Sequence, residues 1–447
     1  MKKLCASLAG AILLSACASI EPVAIAPEVA LPRAYAGDLP RPGVNRNWWL
    51  GFDDPVLDTL VMRGLAANLD IDGSVDRLAA AAALLRAERA DRLPSIDGAA
   101  EAGVSLANNS ETTATAGLFG LFNPDINGRL VAEVRAAAAD YAEQEYLLAD
   151  QQRIVAAAIA SQYIEYRRTG AQLELLEQST ELQEQTLQIV TLRFEAGLAA
   201  NLDVRRAAAD LAQTRARRGL IAISRTEAEN ALAILLAEPP GPFSVSASGA
   251  NEIPDYGLGP AAGVPADLLR RRTDILAAEA RLARGAADIG IEQADLRPSL
   301  TIPGSIGVGD GSLSGIFSDF LFTLRAAIDL PVFDGGRRRA EVEAAEFKSQ
   351  ARLAEYRATF LRALGEVENA LVAISAYRQR NVDLTEAIEQ SETAFSQSNA
   401  LYREGLASLF DVLDAQRQLI ASRQSLIDSE AALASSYIAF HAAIGSD

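Results

Sequence analysis

The chain has almost nothing with which to hold a metal or run redox chemistry. Its 447 residues include one His and two Cys, too few to supply the ligands of a zinc, haem or iron–sulfur site. Basic residues are outnumbered, 41 Lys and Arg against 59 Asp and Glu, for a formal net charge of −18. That balance argues against nucleic acid as a partner, because phosphate binding needs a basic face. No Gly-rich phosphate loop and no Cys/His metal spacing occurs, and a lone His441 cannot complete a Ser/His/Asp set. Neither catalytic residues nor a metal nor a cofactor is expected, and His441 reads as structural. Aromatics are scarce at 6%, although hydrophobic residues reach 49%, with much of that count alanine. Such a balance suits long, closely packed helices.

The N-terminus reads as an address. Lys2 and Lys3 precede an apolar run, Leu4 to Leu14, that is too short for a stable membrane-crossing helix. It ends in Leu14-Ser15-Ala16-Cys17, which resembles a bacterial lipobox. That resemblance implies a signal peptide over 1–16, lipidation of Cys17 as the mature N-terminus, and, with Ala18 and not Asp following, release to the outer membrane. Loss of Lys2 and Lys3 would take the formal charge from −18 to −20. One Cys would then remain, so no intrachain disulfide is possible. Residues 17–44 carry Pro22, Pro27, Pro32, Pro40 and Pro42 and read as an extended tether.

Proline is missing from two long stretches, 114 residues between Pro124 and Pro239 and 116 residues after Pro331. Near the middle of each lies a matching segment. Phe194-Glu195-Ala196-Gly197-Leu198-Ala199 with Asp203-Val204 answers Tyr402-Arg403-Glu404-Gly405-Leu406-Ala407 with Asp411-Val412. Upstream, Arg92-Leu93-Pro94-Ser95-Ile96 answers Leu296-Arg297-Pro298-Ser299-Leu300. A duplication is the economical explanation, with repeats at 45–238 and 264–447 joined by a Pro- and Gly-rich linker at 239–263. Val134, Tyr141, Leu148 and Val155 recur at seven-residue steps, as do Leu353, Phe360, Val367 and Ile374. The spacing predicts full-length helices over about 129–196 and 337–404. Shorter ones follow over about 56–93, 203–236, 264–297 and 410–444. Gly197 and Gly405 are placed to end the long helices, with Asn201 or Asp203 and Asp411 available as caps for the next. A soluble coiled-coil spacer would explain these heptads equally well.

Two interruptions do not fit a spacer. In 299–308 Leu300, Ile302, Gly304, Ile306 and Val308 alternate with Ser299, Thr301, Pro303, Ser305 and Gly307. Residues 320–332 alternate likewise, and Gly309-Asp310-Gly311-Ser312 reads as part of the loop between them. In the first half Ile96, Ala100, Ala102, Val104 and Leu106 alternate with Ser95, Asp97, Glu101 and Ser105, with a return strand expected within 113–128. Period-2 segments of about 9–11 residues match strands that cross a membrane in a barrel. Two hairpins, about 95–128 and 299–333, give four strands, which cannot close. An open edge in hydrocarbon strands backbone groups at several kcal/mol each, so several chains would have to share one barrel.

Several motifs resemble the TolC-like outer-membrane efflux factors, in the lipoprotein (NodT-type) branch serving resistance-nodulation-division pumps. They are Asn47-Trp48-Trp49 with Phe52 and Asp54-Pro55, then Asn68-Leu69-Asp70-Ile71, and the run from Val264-Pro265-Ala266-Asp267 through Arg272-Thr273-Asp274-Ile275. Pro331-Val332-Phe333-Asp334-Gly335-Gly336-Arg337 and Asp411-Val412-Leu413-Asp414-Ala415-Gln416 complete the set. One departure is Asn123-Pro124-Asp125-Ile126-Asn127-Gly128-Arg129, where the family carries Trp-Glu-Leu-Asp and Gly-Arg. The resemblance implies a mainly α protein with membrane β: a homotrimer whose twelve strands form one outer-membrane barrel, continued by twelve helices as a periplasmic tunnel. It implies a non-enzymatic exit duct that carries small toxic compounds or drugs. The implied partners are a periplasmic adaptor, an inner-membrane pump and outer-membrane lipid. Type I protein secretion or metal-ion efflux would use the same architecture, and a non-pore scaffold is the alternative from another class.

By the same resemblance Asp411 and Asp414 form the periplasmic gate. Tyr402 reaches Asp203 in a latch whose usual arginine near Ala407 is missing, so that the latch is expected to be weaker or to be rebuilt by Arg403 or Arg206, and Tyr402→Phe should raise basal conductance. Gly197, Leu198 and Ala199, with Gly405, Leu406 and Ala407, are the tips that would meet the adaptor.

Overall fold

The computed structural model describes residues 47–106, 110–241, 252–257, 270–308 and 320–445. The signal peptide, Cys17, the tether, most of the 239–263 linker, the Val264–Leu269 part of the motif and the Gly309–Ser312 turn lie outside the described residues.

After a turn of 3-10 helix at Trp48–Phe52 come α1 (Pro55–Ala67) and α2 (Leu69–Ala90), then β1 (Ser95–Leu106) and β2 (Ser110–Phe122). The long helix α3 (Arg129–Glu195) and α4 (Asn201–Leu235) close the first half. The second half repeats the order as α5 (Thr273–Ala294), β3 (Ser299–Val308), β4 (Phe320–Leu324), β5 (Ala327–Asp329), α6 (Arg337–Glu404) and α7 (Leu409–Ile444). The long helices have 67 and 68 residues, about 100 Å each at ~1.5 Å per residue.

Both start on a carboxylate. Asp125 accepts from the N–H groups of Leu130 and Val131, each at 2.9 Å. Asp334 accepts from Gly336 at 3.0 Å and Arg338 at 3.3 Å. These bonds satisfy donors that a helix start leaves open and set negative charge on its positive end. The departing segment around Asn123–Arg129 is therefore the capping loop of α3.

The expected single helix over 56–93 is two helices. Asn68 is extended (φ −66°, ψ 128°), and its Oδ1 accepts from Asp70 N–H and Ile71 N–H at 3.0 and 3.2 Å. Its Nδ2 donates to Leu235 O, the end of α4, at 2.9 Å. Asn68 thus starts α2 while tying the break to a distant helix end.

Two compact units divide the described chain. One comprises Ser74–Leu147 and Asp274–Thr359 and holds the sheet. Within it, Arg281 pairs with Glu143 at 2.6 Å, Arg284 with Asp140, and Arg352 with Asp288 at 2.8 Å. Asn127 Nδ2 donates to Ala294 O at 3.2 Å, joining the start of α3 to the end of α5.

The other unit runs from residue 47 to Gly73 and includes Leu148–Thr273 and Phe360 onward. Its core holds Leu57, Ile159, Tyr163, Leu232, Tyr437 and Phe440, together with the heptad positions Val155, Phe360, Val367 and Ile374. Asp54 is buried there, accepting from Tyr163 Oη at 2.7 Å and Arg167 Nη2 at 2.8 Å while capping α1. Burial alone would raise its pKa, but Arg167, Tyr163 and the Leu57 N–H together hold the carboxyl below the usual carboxylate range. Arg153 and Arg272 donate to Ala442 O and Ala443 O at 2.8 and 2.6 Å, closing the C-terminus of α7 with positive charge where the helix end favours it.

His441 is 2% exposed and stacks on Trp48 with ring centroids 5.6 Å apart. Burial pushes its imidazole down from 6.5 to about 4. Between those values the unfolded chain takes a proton that the folded one refuses, so this contribution to stability is full above pH ~6.5 and falls as pH drops toward 4. His441→Gln is expected to flatten that slope, by up to about 3 kcal/mol at the acid end, when thermal unfolding is followed between pH 4 and 7.

Candidate functional site

Two regions carry functional geometry. The first is the antiparallel sheet, ordered β1-β2-β3-β4 with β5 continuing beside β3. One register runs across it. Ile96 faces Gly120, Gly98 faces Leu118, Leu118 faces Ile306 and Ile306 faces Phe322. These rungs set Ile96, Leu118, Ile306, Val308, Phe320, Phe322 and Leu324 on one face, since alternate residues share a face. The other face carries Ser95, Asp97, Glu101, Ser305 and Thr323, with Ser305 Oγ and Thr323 Oγ1 2.5 Å apart, and includes Phe119 and Leu121. The apolar face is open, Phe322 being 64% exposed. Among the described residues, the outer edges of β1 and β4 have no partner strand. At Gly117, opposite Gly307, a Cβ would stand 2.9 Å from Ile306 O, so the strands approach there more closely than any side chain allows.

The return strand of the first hairpin is β2, starting at Ser110, slightly before the expected window. The return strand of the second is not continuous over 320–332. Pro303 falls opposite Arg325 by the register that pairs Gly304 with Leu324 and Thr301 with Ala327. Its carbonyl accepts from Arg325 N–H at 3.0 Å, but proline has no N–H to return, and the ladder divides into β4 and β5.

The second region is the pair of hairpin tips. Gly197 and Gly405 have φ +75° and +79° and end α3 and α6 in the same way. Gly197 N–H donates to Phe194 O and Leu198 N–H to Arg193 O, while Gly405 N–H donates to Tyr402 O and Leu406 N–H to Leu401 O. These are the paired bonds of a left-handed helix stop, for which glycine is favoured. The next residues, Leu198 and Leu406, are 67% and 76% exposed.

The caps differ from expectation. Ala200, with no side-chain bond, precedes α4, so neither Asn201 nor Asp203 caps it. Ser408 is the N-cap of α7, and Asp411 is its reciprocal partner, accepting from Ser408 N–H at 3.0 Å and Ser408 Oγ at 2.7 Å. Those bonds hold the Asp411 carboxyl below the usual carboxylate range. Asp414, one turn further on, is exposed beside it, while Val412 and Leu413 face inward.

Tyr402 and Asp203 make no hydrogen bond. Tyr402 Oη is buried without a partner. Burial raises its pKa, with Arg193 opposing and Asp203 adding to the rise. The cation at this site is Arg193 of α3, not Arg403, while Arg206 stands 3.9 Å from Asp203. Arg193 lies over the Tyr402 ring at 4.8 Å and donates to Tyr402 O at 2.8 Å and Arg403 O at 3.1 Å. Val190, Tyr402, Leu409, Val412 and Leu413 form the core of this tip, with Val204 and Phe395 packed against it. Arg193 escaped the sequence reading because the signal for it, a basic residue in the last turn of α3, looks like an ordinary dipole-facing charge.

A sheet apolar on one face and, among the described residues, without a partner strand at either outer edge, in a chain of duplicated hairpins with helices of about 100 Å, fits the wall of a membrane channel. The family model described as outer membrane efflux protein matches residues 60–238 and 264–446. The chain belongs to that family and is an outer-membrane efflux channel protein. Nodulation protein T of Rhizobium leguminosarum bv. trifolii is 28% identical over 454 residues, covering 97% of this chain and 95% of that protein. Outer membrane protein OprJ of Pseudomonas aeruginosa is 32% identical over 400 residues, covering 86% and 82%. Among solved structures, the outer-membrane channel OprN matches with a TM-score of 0.85 at 29% identity, covering 95% of this chain and 99% of that one.

Proposed function

We propose that three copies of this chain close one twelve-stranded outer-membrane barrel, continue it as a twelve-helix tunnel, and act as the exit duct of a tripartite efflux system. Its cargo would be small toxic compounds or drugs, handed on by an inner-membrane pump and a periplasmic adaptor that meets the tips at Gly197–Ala199 and Gly405–Ala407. The observation that carries this reading is the sheet β1-β2-β3-β4, with β5 beside β3, which has one apolar face and, among the described residues, two unpaired outer edges and cannot stand alone in hydrocarbon. Twelve is an ordinary strand number for a closed barrel. Cys17 is the lipid anchor at the head of the 17–44 tether, and 239–263 links the two repeats.

The gate reading rests on Asp411 and Asp414. Three copies would gather six carboxylates, which attract cations and resist anions. In detergent the protein should run as a heat-modifiable trimer, and planar-bilayer recordings should give single-channel steps with cation preference and block by trivalent cations. Asp411→Asn with Asp414→Asn should remove the block. A water-soluble monomer that never inserts would overturn the duct, and anion preference without trivalent block would overturn the gate alone.

A further inference from the structure

The helical unit leaves two seams uncovered. On α4, Ala207, Leu211, Ala228 and Leu232 are buried, yet a second stripe at seven-residue steps, Leu202, Ala209, Ala216 and Ile223, is exposed. On α6, Phe360, Val367 and Ile374 are buried while Val372 and Val382 are exposed. A seven-residue apolar repeat is the mark of a helix face that packs on another helix; α4 has one more such face than its own chain covers, and α6 leaves a shorter exposed seam, Val382 with Glu386 and Glu389 one and two turns on.

The charges beside the seams have opposite sign. Residues 201–225 hold six Arg and two Asp, whereas 383–404 hold five acidic residues and one Arg. Several are already used within the chain. Arg215 pairs with Glu184 at 2.5 Å, Arg218 with Glu177 at 3.7 Å and Glu392 with Arg423 at 2.6 Å. Arg217, Glu386 and Glu389 are exposed and have no side-chain partner among the described residues.

Their heights coincide. Val204, near the start of α4, and Tyr402, near the end of α6, share the tip cluster, so distances along both helices can be counted from one level. Arg217 is 16 residues from the start of α4, and Glu389 and Glu386 are 15 and 18 residues from the end of α6. At ~1.5 Å per residue these are about 24, 22 and 27 Å above the tip. Ile223 and Val382 are each 22 residues from it, about 33 Å.

We infer that the exposed seam of α4 docks the exposed seam of α6 on a neighbouring copy of this chain, with Arg217 paired to Glu386 and Glu389 and Ile223 against Val382 one step above. The inference rests on the ring proposed above and says which faces build it. Two different, complementary faces make a head-to-tail contact, the kind that closes into a ring. Like-charge register shifts are penalised, so the pairs would fix the vertical alignment of the copies as well as their order.

The test uses the full-length chain in outer membranes, with Arg217→Cys combined with Glu386→Cys or with Glu389→Cys, treated with a short bis-maleimide. Cross-linked trimers are expected from at least one pair, and none from any single substitution. Arg217→Glu should lower the temperature at which the trimer dissociates, and Glu386→Arg with Glu389→Arg in the same chain should restore it. Trimers by native mass that neither cross-link nor show the restoration would overturn this interface and leave the ring standing. Monomers by native mass from the unmodified chain would overturn the ring and the interface together.

Discussion

Arg193→Ala is expected to raise the basal conductance of the reconstituted channel sharply, whereas Tyr402→Phe should leave it near that of the parent. Arg193 holds the end of α6 by two hydrogen bonds to Tyr402 O and Arg403 O and by its position over the Tyr402 ring. Hydrogen bonds from a charged donor contribute about 1.5–3 kcal/mol each, and a cation over a ring about 0.5–1. Even half of that total, about 2–3 kcal/mol, shifts a closed-to-open equilibrium roughly 30- to 150-fold. The Tyr402 hydroxyl is buried without a partner, so deleting it leaves no group newly stranded. This reverses the expectation drawn from the family latch. Equal single-channel behaviour of Arg193→Ala and the parent chain would remove Arg193 from the gate.

Phe322→Arg is expected to abolish stable insertion into the outer membrane, while Asp97→Arg, on the opposite face of the sheet, should be tolerated. Phe322 projects from the open apolar face in register with Ile306. An arginine facing lipid near the midplane costs about 2–4 kcal/mol in each copy. Asp97 lies on the face that carries Ser95 and Glu101, where Arg would replace a charge already present. The fraction of chain recovered as membrane-embedded, heat-modifiable trimer measures both. Equal recovery of the two variants would mean that the faces are assigned wrongly.

The long helices were the most legible part of the sequence. Expected over about 129–196 and 337–404, they run Arg129–Glu195 and Arg337–Glu404, because prolines and glycines punctuate them and punctuation is local. Strands β1 and β3 were equally plain from alternation. What escaped depends on partners distant in the chain. The break at Asn68 needs Leu235 O to make sense of it. The division of β4 from β5 needs the register that sets Pro303 opposite Arg325. The cap at Ser408 was assigned to Asp411 because a reciprocal pair looks, in sequence, like a single acidic start. At the candidate gate the residues were named from motif position, and the clamp on Tyr402 proved to come from a residue outside every motif.

Pro303 has a consequence for the newly exported protomer, before it meets its companions. An unpaired strand edge is a template on which other chains stack toward amyloid-like fibres. Here, among the described residues, strand β4 covers Phe320 to Leu324, five residues, before the proline next door cuts it off from β5. On this side a chain in transit shows its own kind only a short, interrupted edge, whereas the twelve residues of β1 stay open on the other.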